Sequence, residues 1–141
     1  MGPRIVVDTN VLISALRSKR GASYKLLSLV GENLFDIVVS VPLVMEYEAV
    51  AKRQSKQLGL TAADVDDILD YLCQVGLHRE IFFLWRPVLR DPKDDLLLEV
   101  AVESESDYIV THNSKDVAGA SHFGVRVIGP REFLEVIGQL K

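Results

Sequence analysis

Hydrophobic positions along this 141-residue chain follow two rhythms. Unbroken, β-branched runs at Arg4-Ile-Val-Val, Phe35 to Ser40, Tyr108-Ile-Val-Thr111 and Val125 to Ile128 read as buried strands. Between them, apolar residues recur at spacings of three and four, the helical period. Asp8-Thr9-Asn10 supplies N-cap chemistry for a helix starting at Val11-Leu-Ile-Ser-Ala-Leu16. A basic turn from Arg17 to Gly21 follows, and Ser23 to Val30 reads as a second helix. Pro42 suits the first turn of a helix carrying Leu43, Val44, Tyr47, Val50 and Ala51. Gly59 interrupts the chain, and Thr61-Ala-Ala-Asp64 resembles a capping box for a helix reaching about Val75. A short apolar segment spans Ile81 to Leu84. Asp91-Pro-Lys-Asp-Asp95 then opens a helix with Leu97, Leu98 and Ala101 on its inner face, and Pro130 opens a last one to about Ile137. Strands alternating with helices at this spacing predict an α/β fold: a central parallel sheet flanked by helices on both faces, in one domain over residues 1–141.

Composition narrows the class without changing that picture. Apolar residues make up 48% and charged residues 26%, which excludes a disordered or collagen-like chain. The charge-free stretch from Ile37 to Met45 is too short for a membrane span, and the N-terminus lacks the pattern of a secretory signal. The one cysteine, Cys73, cannot form an internal disulfide and is expected as a buried core thiol. These features lead to the expectation of a soluble, cytoplasmic protein. A net charge of −4 argues against a general DNA-coating protein but not against a nucleic-acid enzyme, whose site can itself be built from carboxylates.

Ligands of parallel α/β sheets bind outside the carboxyl ends of the strands. Asp8 directly follows the first strand, and Glu46 lies about a turn into the helix after the second. Asp94 and Asp95 open the helix before the third, and Asn113 and Asp116 follow it. Acidic groups from distant parts of the chain can thus meet at one sheet edge, where they repel one another unless a cation lies between them. Hard oxygen ligands of this kind suit Mg²⁺ or Mn²⁺. Each residue also has a plainer reading, as a helix cap, a dipole complement or a solvated charge. The cluster Asp64, Asp66, Asp67 and Asp70 is read as a solvated helix face.

Four stretches, in order, carry a resemblance: Ile5-Val-Val-Asp8-Thr9-Asn10-Val-Leu-Ile13, Ser40 to Val50 with its Glu46, Arg90 to Ala101, and Asp107-Tyr-Ile-Val-Thr111-His112-Asn113-Ser-Lys-Asp116. Together they resemble the PIN-domain family, and within it the VapC-like toxin ribonucleases of toxin–antitoxin pairs. The resemblance implies a metal-dependent nuclease with Asp8, Glu46, Asp94 and Asp116 as catalytic metal ligands, and Mg²⁺ or Mn²⁺ as cofactor. Asp94 is preferred because it stands seven residues before Ala101, matching the family spacing. Asp95 is the alternative. Asn113 replaces an acid found in many members, and Asn10 and Asn113 are read as supporting residues.

The implied reaction is hydrolysis of RNA phosphodiester bonds, leaving a 5′-phosphate and a 3′-hydroxyl. The implied partners are RNA, a basic antitoxin protein and a second copy in a homodimer, with no membrane. Arg17, Lys19 and Arg20, and Lys52, Arg53 and Lys56, can guide phosphates or merely complement helix ends. His78, His112 and His122 lack metal-binding spacing. Three alternatives stand beside this reading: a weak or dead PIN-fold interaction module, a housekeeping RNA or DNA nuclease, and a phosphatase or receiver-like protein. The last lacks a Gly-rich phosphate loop here.

Overall fold

The computed structural model describes residues 2–78, 92–113, 120 and 123–139, apart from the side chains of 92–95. Strand β1 (Arg4–Val7) leads into helices α1 (Thr9–Arg17) and α2 (Ala22–Ser28). Strand β2 (Asp36–Val39) leads into α3 (Val41–Arg53), α4 (Ser55–Leu58) and α5 (Ala62–Val75). Strand β3 (Leu77–His78), helix α6 (Pro92–Glu103), strands β4 (Tyr108–Val110) and β5 (Arg126–Ile128) and helix α7 (Pro130–Val136) complete the order. All pairings are parallel, and the strand order is β3-β2-β1-β4-β5. The expected α/β architecture is therefore present.

Successive strand residues point to opposite faces, so a strand buried at every position must be covered on both. Ile5, Val6 and Val7 of β1, Ile37, Val38 and Val39 of β2, and Ile109 and Val110 of β4 are all buried. Helices accordingly cover both faces of the sheet. Helix α6 is buried at five consecutive positions, Leu97 through Ala101, with Glu99 among them. A helix apolar on nearly all sides belongs in an interior, and α6 packs against β1, β2 and β4.

Local chemistry accounts for the element ends. Ser40 caps α3 by accepting from the Leu43 amide at 3.3 Å, with Pro42 in the first turn. Thr61 and Asp64 form the expected capping box of α5. Gly59 closes α4 with φ +69°, a backbone conformation most residues avoid.

Several details depart from the pattern-based reading. β3 and α4 are too short to produce a periodic signal. Cys73 is only partly buried, with its thiol pKa pushed up first by burial and then by Asp70. In the cluster on α5, Asp66 ties that helix to α3 through Lys52 at 2.9 Å, so it is more than a solvated charge. The segment Ile81 to Leu84 lies outside the described residues. Among the described residues, no helix is long and apolar enough to cross a membrane.

Candidate active site at the β1–β4 switch point

Strand β1 has β2 on one side and β4 on the other, so the chain reverses its direction of progress between β1 and β4. Loops leaving the two strands there diverge and open a crevice, the usual ligand position in such sheets. Asp8 and Thr111 are the first residues beyond β1 and β4. The Asp8 amide donates to the Val110 carbonyl at 2.9 Å, carrying the ladder one step past the strands.

The side chains continue this pairing. Thr111 is buried, and its hydroxyl donates to Asp8 Oδ2 at 2.6 Å. Thr111 Oγ1 itself accepts from Asn10 Nδ2 at 3.3 Å and from the Asn113 amide at 3.1 Å. With two donors already aimed at it, the hydroxyl proton has Asp8 as its acceptor, which fixes the direction of the bond. Asn10 Oδ1 in turn accepts from the His112 amide at 3.3 Å. The His112 ring is held at its far side, with Nε2 lying 3.2 Å from Ser23 Oγ on α2.

Asp8 occupies the N-cap position of α1, in extended conformation. Burial is the main cause raising its carboxyl pKa above the ordinary value, and the charge of Glu46 adds to it. The Thr111 hydroxyl and the amides of Asn10 and Thr9 pull the other way without cancelling the rise. Glu46, half-buried on α3, is thus close enough to act electrostatically on Asp8. Its neighbour Tyr47 is fully buried and donates its hydroxyl to the carbonyl of Val7 at 2.5 Å. This bond fastens α3, one residue from Glu46, to the last residue of β1, one residue from Asp8. The Tyr47 pKa is pushed strongly upward by burial and by the charges of Asp8 and Glu46, so it remains a neutral donor.

The structure therefore brings together Asp8, Glu46, Asn10 and Asn113. Asp94 and Asp95 lie in the first turn of α6, with side chains outside the described set, and Asp116 lies outside the described residues altogether. Among the described residues, no group of three or more His, Cys, Asp or Glu forms a metal site. The donors that are described do fit a hard divalent cation: Asp8 and Glu46 are both half-buried carboxylates, and the charge of Glu46 adds to the rise in the Asp8 pKa. Tyr47 and Ser23 were not expected in the site. Tyr47 carried only the apolar helical period, and nothing local distinguishes Ser23 from a helix-start serine. The expected basic sets do not adjoin the carboxylates, since Arg17 and Arg53 stand at the far ends of α1 and α3.

A parallel α/β sheet with carboxylates near its switch point is an arrangement that many classes of protein share. The sequence narrows it: residues 4–115 match the family model of the PIN domain, and the chain belongs to the PIN-domain family. Members of this family are generally nucleases that depend on a divalent metal. Among solved structures, the fold is similar to that of VapBC2 from Rickettsia felis bound to a DNA fragment from their promoter. The likeness has a TM-score of 0.59 at 14% identity and covers 88% of this chain and 96% of that one. No curated protein sequence matches the chain.

Proposed function

We propose that this protein is a metal-dependent endoribonuclease and the toxin component of a toxin–antitoxin pair. One observation carries the reading: at the β1–β4 switch point the Thr111 hydroxyl orients Asp8 at 2.6 Å, within electrostatic reach of Glu46, thirty-eight residues away in sequence. Asp8, Glu46 and Asp94 would hold Mg²⁺ or Mn²⁺, with Asp116 joining them and Asp95 the alternative to Asp94. When bound, the cation supplies positive charge to the scissile phosphate and favours ionisation of the attacking water. The chain's own residues prepare for this. Thr111 directs one Asp8 oxygen, Asn10 and Asn113 hold Thr111, and Tyr47 keeps α3 in place. The charge of Glu46 adds to burial in raising the Asp8 pKa, a like-charge effect that a cation held by both carboxylates would offset.

The toxin reading draws on the likeness to VapBC2, a toxin–antitoxin complex. By that likeness, a protein partner would restrain this chain, and an inhibitor presenting Arg or Lys would satisfy the crowded carboxylates in place of a metal. A homodimer is part of the same proposal. Val41 and Met45, one helical turn apart on α3, are 71% and 62% exposed, an apolar pair that a second copy would cover.

The test is digestion of defined RNA and DNA oligonucleotides with Mg²⁺, Mn²⁺ or EDTA, alongside Asp8→Asn. The expected result is RNA cleavage that stops with EDTA and with Asp8→Asn. Cleavage that survives either treatment refutes the site. Cleavage of DNA in preference to RNA turns the reading to a DNA nuclease. Growth arrest on expression, relieved by Asp8→Asn, is expected of a toxin, and normal growth with active soluble protein favours a housekeeping enzyme.

A further inference from the structure

Arg17, Lys19, Arg20, Lys52, Arg53 and Lys56 place six of the sixteen Lys and Arg residues in two short segments, 17–20 and 52–56, of a chain with net charge −4. The fold makes these segments neighbours. Helices α1 and α3 both start at the carboxyl edge of the sheet, run back along it and pack together. Their far ends are joined where the Arg17 guanidinium donates to Gln54 Oε1 at 3.1 Å.

Helical register links this end to the carboxylates. Arg17 stands seven residues after Asn10, and Arg53 seven after Glu46, so each lies about 10 Å down the same stripe of its helix. Ser14 and Val50, the intervening positions on the two stripes, are uncharged and half-buried. The stripe of Asn10 on α1 and that of Glu46 on α3 thus end at Arg17 and Arg53, where the two helices are joined.

Lys52 is engaged, at 3.0 Å from Glu48 and 2.9 Å from Asp66. Arg17, Lys19, Arg20, Arg53 and Lys56 are exposed, and among the described residues none of them is ion-paired with a carboxylate. The partner of Arg17 is a neutral amide, which orients the guanidinium while leaving its charge intact. Dipole complementation accounts for Arg17 and Arg53, each in the last turn of its helix. It does not account for Lys19 and Arg20, which precede the N-terminus of α2, the end that disfavours cations.

We propose that Arg17, oriented by Gln54, and Arg53 form a phosphate-binding subsite that holds the RNA backbone to one side of the cleavage point. Lys19, Arg20 and Lys56 widen its field. The subsite deepens the nuclease reading and rests on it for the direction of the strand. It lets an acidic protein engage a polyanion, because phosphates are gripped away from the repelling carboxylates.

The test is binding of a fluorescein-labelled single-stranded RNA by anisotropy across a salt series. It uses the full chain carrying Asp8→Asn so that the RNA survives. Adding Arg17→Ala and Arg53→Ala is expected to weaken binding about tenfold and to flatten the log–log salt slope by about 1.4, the loss of two phosphate contacts. Arg17→Lys with Arg53→Lys, which keeps the charges, is expected to recover most of the affinity. Unchanged affinity and slope in the alanine variant overturn the subsite. Poly-glutamate displacing nothing is expected, and poly-glutamate binding as tightly as RNA overturns RNA as the occupant. If the parent chain cuts no RNA but the alanine variant still loses RNA binding, the nuclease reading fails and the subsite stands. If the parent cuts RNA and the alanine variant binds like its parent, only the subsite fails.

Discussion

Thr111 Oγ1 donates to Asp8 Oδ2 at 2.6 Å across 103 residues of sequence, joining the ends of the two strands that flank the switch point. Because Asn10 and Asn113 both donate to the same hydroxyl, the bond has one direction, and one Asp8 oxygen is committed. Thr111 is therefore a positioning residue. Thr111→Val keeps the shape and removes the donor. It is expected to lower single-turnover cleavage about 10–100-fold, the usual cost of losing a partner that orients a metal ligand. Thr111→Ser is expected to restore most of the rate; a valine variant as fast as the parent would show that Asp8 needs no orienting.

Asp8→Asn separates activity from stability. Cleavage is expected to fall by about a hundredfold or more, since removing the central carboxylate forfeits several kcal/mol of transition-state charge stabilisation. Folding is expected to improve at neutral pH without divalent metal. Burial, and then Glu46, raise the Asp8 pKa above the ordinary carboxylate value, which favours the protonated carboxyl in the folded state relative to the unfolded one. That preference stabilises the fold fully below the unfolded value and is lost as pH rises through the folded one. The variant escapes the loss. Its melting midpoint is expected above the parent's at pH 7, each kcal/mol moving it by about 3–5 °C, with the gap closing toward acid pH. A lower midpoint at pH 7 would contradict the electrostatic account.

Tyr47→Phe removes the anchor between α3 and the end of β1. The Val7 carbonyl loses its phenol donor in a buried setting, which costs about 1–3 kcal/mol. Urea unfolding measures the loss. Cleavage is expected to fall as well, because Glu46 is the next residue on the loosened helix. Unaltered cleavage would mean that α3 is held in place by other contacts.

The start of α6 offers a choice between adjacent acids. Asp94 precedes Ala101 by seven residues and Leu98 by four, which places it on the helix stripe of those two fully buried residues. Asp94→Asn is expected to cost far more activity than Asp95→Asn in single-turnover cleavage. The opposite ranking assigns the ligand to Asp95.

Met45 lies on the exposed apolar turn of α3 with Val41. Light scattering at tens of micromolar is expected to show a dimer, and Met45→Glu a monomer. A parent chain that is monomeric under those conditions refutes the pairing.

The sequence by itself determined four of the five described strands and most of the helices, because burial on both faces of a parallel sheet demands runs such as Ile5-Val-Val7 and Tyr108-Ile-Val110, and caps such as Thr61 and Pro42 act over three or four residues. It also marked Asp8 and Glu46, since a strand followed directly by a polar helix start announces a sheet edge. Tertiary structure alone decided what acts on them. The Tyr47 bond to Val7, the Thr111 bond to Asp8, the Ser23 contact with His112 and the Arg17 bond to Gln54 span from 37 to 103 residues. Such pairings leave no local period, because a hydroxyl or guanidinium reads the same in sequence whether it meets water or a distant partner. Strand order decided them: placing β4 beside β1 carried Thr111 to Asp8, and laying α3 beside α1 carried Glu46 and Arg53 alongside Asp8 and Arg17.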